Sequence, residues 1–121
     1  MAYKLGKGSI ANLKGGSNSI RSLVEYAIKI TDVDFSVIET IRTVEQQQIN
    51  VEKGVSWTMQ SYHLIGEAVD LYPWVDGKTS HDPDHYKRIA KAMFKAAHDL
   101  DIELEWGGFW KTSDMPHWQV V

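Results

Sequence analysis

The spacing of acidic and histidine side chains in two short segments is typical of a hydrolytic metal site. His63 and Asp70 lie seven positions apart in the run SYHLIGEAVD, and His117 follows Asp114 by three positions in DMPHWQ. Two imidazoles and one carboxylate form a common ligand set of a catalytic zinc ion that keeps a fourth position for water. Asp114 is then a candidate base that activates this water. We interpret the pattern as a zinc hydrolase.

His63 and Asp70 can bind one ion only if the chain folds back between them. On a helix they would lie two turns apart, too far for ligands that each approach a metal to ~2 Å. On a regular strand they would point to opposite faces roughly 23 Å apart. Gly66 is the expected pivot because glycine tolerates positive φ. Residues 68–72 then predict a short strand.

The second segment cannot be a helix-borne zinc motif. Pro116 pushes the residue before it into an extended conformation, so Asp114 and His117 cannot share one helix. We therefore place Asp114 in a turn that leads into a last strand, residues 117–121. In that strand His117 and Gln119 share one face.

The segments SYHLIGEAVDLYP and EWGGFWKTSDMPHWQ resemble the zinc D-Ala-D-Ala carboxypeptidase and L-alanyl-D-glutamate endopeptidase family, above all its small phage endolysins. That family's pattern is Ser-x-His-x-x-x-Gly-x-Ala-x-Asp or a form one residue shorter, then Trp-Gly-Gly-x-Trp and Asp-x-Pro-His-Trp/Phe. The chain fits the shorter form. The resemblance extends over nearly the whole chain, including KLGKGSIANLKG, ITDVDFSVIETIRT and KGVSWTMQS.

The resemblance implies a role for each residue of the proposed site. His63, Asp70 and His117 are the implied zinc ligands, Asp114 is the implied general base, and Arg42 holds the substrate and stabilises the oxyanion. The implied substrate is the stem peptide of bacterial peptidoglycan, cut between L-Ala and D-Glu. The alternatives are a D-Ala-D-Ala carboxypeptidase of the same fold, a non-catalytic wall-binding or virion module, and a binding protein whose histidines are accidental.

The chain departs from the small endolysins at positions that are not proposed ligands. Other residues are common in those endolysins at Tyr62, Ile65, Glu67 and Phe109. The chemistry is therefore expected to be retained, and these positions bear on substrate preference.

Several side chains near the motifs have structural alternatives. Glu105 is the main rival of Asp114 as the base, although we favour a solvent-facing strand position for it. Trp106 and Trp110, beside a glycine pair, could present flat apolar walls to a substrate. Arg42 has the alternative of a surface ion pair with a neighbouring glutamate.

Composition predicts a single domain that spans residues 1–121. Of these 121 residues 43% are hydrophobic, enough for a modest core. A net charge of -3 without a basic cluster gives no reason to expect nucleic acid. The absence of cysteine excludes disulfides and thiolate ligands, so any zinc must be held by nitrogen and oxygen. The remaining histidines are expected on the surface: His81, His85 and His98.

The N-terminus has lysines but no continuous apolar segment, and no run approaches the length of a membrane span. We therefore expect no signal peptide and no membrane span. A monomer is expected, which accumulates in the host bacterial cytoplasm until a membrane lesion releases it to the cell wall.

Hydrophobic periodicity predicts alternating helices and strands. Helices are expected at 19–31, at 44–53 and after Asp82-Pro83, an N-cap followed by proline at the first helical position. Strands are expected at 35–42, 68–72, 102–106 and 117–121. The predicted fold class is α+β, with helices packed on a small, mainly antiparallel sheet that carries the zinc site, as in Hedgehog and DD-peptidase-like domains.

Overall fold

The computed structural model describes residues 3–40 and 68–121. These residues form three α-helices and five strands, with a short 3-10 helix before the last strand. In chain order they are α1 (Lys7–Leu13), α2 (Asn18–Ile30), β1 (Phe35–Glu39), β2 (Ala68–Val75), β3 (Lys78–Thr79), α3 (Pro83–Leu100), β4 (Leu104–Trp106), the 3-10 helix (Gly107–Phe109) and β5 (His117–Val120).

The strands of the described residues form one antiparallel sheet with the order β1-β2-β5-β4, and β3 forms a hairpin with β2. β2 therefore lies between β1 and β5, although its neighbour in space β5 follows it by more than forty positions in the chain. The expected antiparallel α+β architecture is confirmed. The single-domain organisation stays a prediction.

Local signals explain the long helix α3. The side chain of Asp82 accepts a hydrogen bond from the backbone N–H of Asp84 at 2.9 Å, and proline occupies the first turn. The helix ends at Asp101, whose left-handed conformation (φ 56°) closes the last turn. One face of α3 is buried, as the periodicity predicts.

Helix α2 begins with a similar cap, because the hydroxyl of Ser17 accepts from the backbone N–H of Ile20 at 3.2 Å. Its apolar stripe packs against α3 and against the sheet. The buried members of that stripe are Ile20, Leu23, Val24, Ala27 and Ile28.

Alternation along the strands separates a core face, which packs against the helices, from the opposite face of the sheet. Val69, Leu71 and Trp118 are at most 1% exposed and belong to the core cluster under the helices. Asp70 and His117, which alternate with them, therefore lie on the opposite face of the sheet. The sheet thus supports the proposed metal ligands on the side away from α2 and α3.

The first helix, α1, was not expected from the sequence. It packs along the edge strand β1, where the Ser9 hydroxyl accepts from the backbone N–H of Val37 at 2.9 Å. The side-chain amide of Asn12 donates to the Val37 carbonyl at 2.8 Å. These bonds satisfy the outer edge of β1, which would otherwise be open to pairing.

Some element boundaries differ from the expectation. β1 ends at Glu39, before the predicted limit, and β4 is limited to residues 104–106. β2 continues to Val75 through a buried Pro73, because its pairing with β1 and β3 extends it. The predicted helix 44–53 lies outside the described residues. Along residues 3–40 and 68–121, no helix has both the length and the apolar character needed to cross a bilayer.

Candidate functional site

Two of the predicted zinc ligands lie side by side on neighbouring strands. Asp70 of β2 and His117 of β5 are direct partners in the antiparallel register. The His117 Nδ1 atom is 3.2 Å from the Asp70 Oδ1 atom, and their side chains are 12% and 26% exposed respectively. The structure therefore joins residues that are forty-seven positions apart.

The separation of these atoms fits a shared zinc ion. Bonds of about 2.0 to 2.2 Å at a tetrahedral angle place two nitrogen and oxygen ligands roughly 3.3 Å from each other. The observed 3.2 Å between His117 Nδ1 and Asp70 Oδ1 agrees with that value. An imidazole and a carboxylate are also the ligand types that zinc prefers when cysteine is absent.

Gln119 is a member of the site whose role the sequence did not reveal. Its side-chain oxygen Oε1 lies 2.7 Å from His117 Nε2, and the residue is 8% exposed. Because the amide oxygen can only accept, we assign a proton to Nε2. The ionised Asp70 carboxylate also only accepts, so its hydrogen bond with Nδ1 belongs to the doubly protonated imidazolium, and the neutral ring leaves Nδ1 without a proton. Gln119 could have been placed next to His117 from the sequence, because alternation along β5 puts both residues on the same face.

Burial and polar contacts shift the pKa of His117 in opposite directions. Burial lowers the pKa of His117, but hydrogen bonds with Asp70 and Gln119 and the negative charges of Asp70 and Asp114 outweigh burial and raise it above the usual value. The site attracts positive charge, and a proton and a metal cation compete for it.

A folded-back loop presents Asp114 beside these residues. The carbonyl oxygen of Gly107 accepts from the backbone N–H of Asp114 at 2.8 Å, and the Asp114 carbonyl accepts from the His117 N–H at 3.1 Å. A Cβ atom at Gly107 would lie 2.3 Å from the Asp114 carbonyl oxygen, so only glycine permits this approach. The predicted turn before β5 is confirmed, and Asp114 is exposed within it.

Glu105, the rival candidate for the base, is engaged elsewhere. Its Oε1 atom accepts a hydrogen bond from Trp110 Nε1 at 2.6 Å. The Trp110 ring in turn packs beside the His117 ring, with centroids 5.1 Å apart and planes tilted by 43°. Glu105 is half-buried by these contacts, so the simple solvent-facing position that we favoured is only partly correct.

Trp106, one of the two tryptophans that could have formed an apolar wall of the site, belongs to the core instead. Trp106 is 4% exposed and stacks on Trp118 in the core, with ring centroids 5.4 Å apart. Its indole nitrogen donates to the Met115 carbonyl at 2.7 Å, which ties the loop to the sheet. Phe109 instead covers Trp106 from outside and is 75% exposed.

Aromatic and imidazole groups meet at the start of α3, where the Tyr86 hydroxyl lies 3.5 Å from His81 Nδ1. Burial raises the pKa of Tyr86, and the negative charge of Asp114 raises it further. His81 is exposed, as expected, and its ring contacts Tyr72 edge-on at 5.7 Å. Tyr72 could have been found from the sequence, because it follows Asp70 by two positions on one strand face.

The other surface histidines follow the expectation in part. His98 is exposed, whereas His85 is half-buried with its Nδ1 atom 2.6 Å from the Ser80 hydroxyl. Within the described ranges, no three His, Asp or Glu side chains are grouped closely enough to hold a metal ion.

The remaining predicted site residues lie outside the described residues. These are the third implied ligand, His63, the implied oxyanion residue, Arg42, and the specificity positions Tyr62, Ile65 and Glu67. Their roles stay predictions.

Comparisons with known proteins identify similar chains over the full length. A family model described as phage L-alanyl-D-glutamate peptidase matches residues 1–119. The L-alanyl-D-glutamate peptidase of Escherichia phage T5 is 29% identical over 124 residues, which cover 99% of this chain and 90% of that protein. The peptidase of the same name from Listeria phage A118 is 39% identical over 100 residues, which cover 82% of this chain and 34% of that longer protein.

The fold also matches a crystal structure. Serratia marcescens L-Ala D-Glu endopeptidase ChiX superposes with a TM-score of 0.90 at 37% sequence identity, covering 98% of this chain and 90% of the other. The match extends beyond the sheet, because its coverage includes nearly every element.

Proposed function

The chain belongs to the phage L-alanyl-D-glutamate peptidase family, and from this membership we propose that it hydrolyses the L-Ala to D-Glu bond of peptidoglycan stem peptides. The observation that carries the proposal is the pairing of Asp70 with His117, 3.2 Å apart, next to the loop that holds Asp114. This arrangement supports metal-assisted amide hydrolysis.

Zinc is the proposed metal, with His63, Asp70 and His117 as its ligands. Zinc bound there would lower the pKa of a water molecule toward about 7 and polarise the scissile carbonyl. Gln119 contributes by accepting from His117 Nε2, since a fixed second hydrogen bond sets the orientation and tautomer of a ligand imidazole.

Asp114 is the proposed general base. It takes the proton of the attacking water and returns it to the departing amine. Its side chain is exposed, and backbone hydrogen bonds of the loop hold its main chain next to His117. The engagement of Glu105 with Trp110 supports Asp114 over Glu105 for this role.

Arg42 is proposed to carry fixed positive charge at the developing oxyanion or at a substrate carboxylate. A planar guanidinium with several donors suits either task. The proposal for Arg42 depends on the resemblance of its segment to the family.

The cellular setting follows from the same proposal. An endolysin must cut within cross-linked stem peptides, and cleavage next to L-Ala frees the stem from the glycan however its far end is linked. We propose that the protein acts as a monomer and accumulates in the host cytoplasm until it reaches the wall.

Metal analysis tests the proposal. The purified protein is expected to hold one zinc per chain by elemental mass spectrometry, to lose peptidoglycan hydrolysis on exhaustive chelation and to regain it with added zinc. Alanine at His63, Asp70 or His117 should each remove most of the metal. His98→Ala, which changes an exposed histidine at the end of α3, is the matched control and should retain zinc.

Two results would contradict the zinc site. One is full hydrolysis by protein from which all metal has been removed. The other is loss of zinc in His98→Ala to the same degree as in His117→Ala.

A further inference from the structure

The carboxylate of Glu105 and the indole of Trp110 form a contact that the proposed chemistry does not use. The Trp110 Nε1 atom donates to Glu105 Oε1 at 2.6 Å, across the 3-10 helix that separates β4 from the loop. Both residues are half-buried. The hydrogen bond ties the indole of Trp110 to a side chain of β4 and so restricts the rotation of the indole ring.

The fixed ring lies against the proposed ligand. The centroids of Trp110 and His117 are 5.1 Å apart, with the planes tilted by 43°. The edges of the His117 ring are held by Asp70 at Nδ1 and by Gln119 at Nε2. Trp110 adds a packing contact with the imidazole ring, which the polar contacts at the two nitrogens do not provide.

The sheet register explains why Glu105 can reach this position. Glu105 of β4 is the direct partner of Gln119 of β5, and Gln119 lies on the same face of the sheet as His117, away from the helices. The side chain of Glu105 therefore projects from the face of the sheet that carries the site. Its carboxylate meets the Trp110 indole where the loop returns toward β5.

We propose that Glu105 is a positioning residue that acts through Trp110 to hold the imidazole of His117 in its ligand orientation. The proposal rests on the proposed function only in treating His117 as a metal ligand. Apolar and hydrogen-bonding groups around ligand histidines tune metal affinity, and their removal typically weakens binding 10- to 100-fold.

Three variants separate positioning from direct chemistry. Glu105→Gln keeps an oxygen that can accept from Trp110 Nε1, Glu105→Leu removes it, and Trp110→Phe keeps an aromatic ring without the N–H. Glu103→Leu is the matched control, since Glu103 is an exposed glutamate two positions away. The readouts are zinc affinity by chelator competition and, in metal-free protein, the NMR chemical shifts of the His117 ring protons.

Glu105→Leu is expected to move the His117 ring resonances and to weaken zinc binding by roughly 10-fold or more. Trp110→Phe should weaken zinc binding in the same direction. Glu105→Gln should keep both values near those of the unmodified protein, because the amide oxygen restores the hydrogen bond. Glu103→Leu should change neither.

Equal loss of zinc affinity in Glu105→Gln and Glu105→Leu would overturn the proposal, because the negative charge itself would then be required. Unchanged His117 resonances in Glu105→Leu would overturn it as well. If Glu105→Leu does not fold, Trp110→Phe decides: zinc affinity equal to that of the unmodified protein contradicts positioning. Since the resonances are read without metal, failure of the zinc proposal itself is recognised separately.

Discussion

His117 is constrained through both ring nitrogens and through its ring. Asp70 lies at Nδ1, Gln119 at Nε2 and Trp110 against the ring. Such contacts reduce the reorganisation needed when a ligand set forms, because the imidazole already has its tautomer and direction. Asp114 differs in its exposure, and the backbone hydrogen bonds of the loop hold its main chain. The constrained side chain of His117 suits a metal ligand, and the exposed side chain of Asp114 suits a proton carrier.

The separation of these roles predicts the effect of Asp114→Asn. The variant should keep its zinc and its fold, because Asp114 is not a proposed ligand, while kcat should fall by roughly 10²- to 10⁴-fold, the usual contribution of general acid-base catalysis. Peptidoglycan turnover at saturating substrate, together with metal content, measures both properties.

Glu105→Gln is the comparison for that variant and should cost much less turnover. If Glu105→Gln were the more damaging change, the base role would belong to Glu105 and the Asp114 assignment would be wrong.

The loop between β4 and β5 positions Asp114, the proposed base, through its glycine pair. Gly107 lets the Asp114 backbone approach closely, and a Cβ atom at Gly108 would lie 2.4 Å from the Trp106 ring. The Trp106 indole also donates to the Met115 carbonyl. The Trp-Gly-Gly segment therefore fits a core tryptophan to a tight turn and places the loop that carries Asp114.

Gly107→Ala should accordingly damage both stability and turnover. The added Cβ would meet a backbone oxygen, Asp114 O, at 2.3 Å, and no rotamer change can relieve such a contact. Overpacking of this kind typically costs about 1 to 3 kcal/mol, and the shift of Asp114 should lower kcat further. Thermal unfolding and peptidoglycan turnover provide the two measurements.

Gly8→Ala supplies the matched control. Gly8 lies within α1 and a Cβ there would have no atom within 4 Å. Alanine should be neutral or stabilise the protein by up to ~1 kcal/mol, since it is the better helix former. Equal stability and turnover in Gly107→Ala and Gly8→Ala would contradict the role given to the loop.

Parts of the fold could be predicted because their signals are local. The cap and proline at Asp82-Pro83 define the start of α3, and Pro116 separates Asp114 from β5. The alternation that puts Asp70 and His117 on one face of the sheet also follows from strand geometry.

Other parts depend on contacts between distant segments and could not be predicted. Helix α1 has no side-chain cap and is held by bonds of Ser9 and Asn12 to Val37. The sequence left open whether Trp106 belongs to the core or to a wall of the site, and in the structure it stacks on Trp118. Burial of an aromatic side chain is decided by strand pairing, and pairing is a property of the whole sheet.

At the scale of the whole molecule, the two faces of the sheet have different tasks. α2 and α3 cover one side of the sheet, and Asp70 and His117 lie on the other. The family relationship and the superposition on an L-Ala D-Glu endopeptidase extend over almost the entire chain. The proposed cleavage of cell-wall stem peptides is therefore assigned to the whole chain and not to one part of it.

Product analysis tests that central claim most directly. Purified Gram-negative-type peptidoglycan would be digested with the zinc-loaded protein, with Asp114→Asn in parallel, and the products sequenced by mass spectrometry. We predict glycan strands that retain only L-Ala and free peptides that begin with D-Glu, with far less of both from Asp114→Asn. Release of D-Ala alone, with the bond between L-Ala and D-Glu intact, would contradict the account and make the protein a carboxypeptidase.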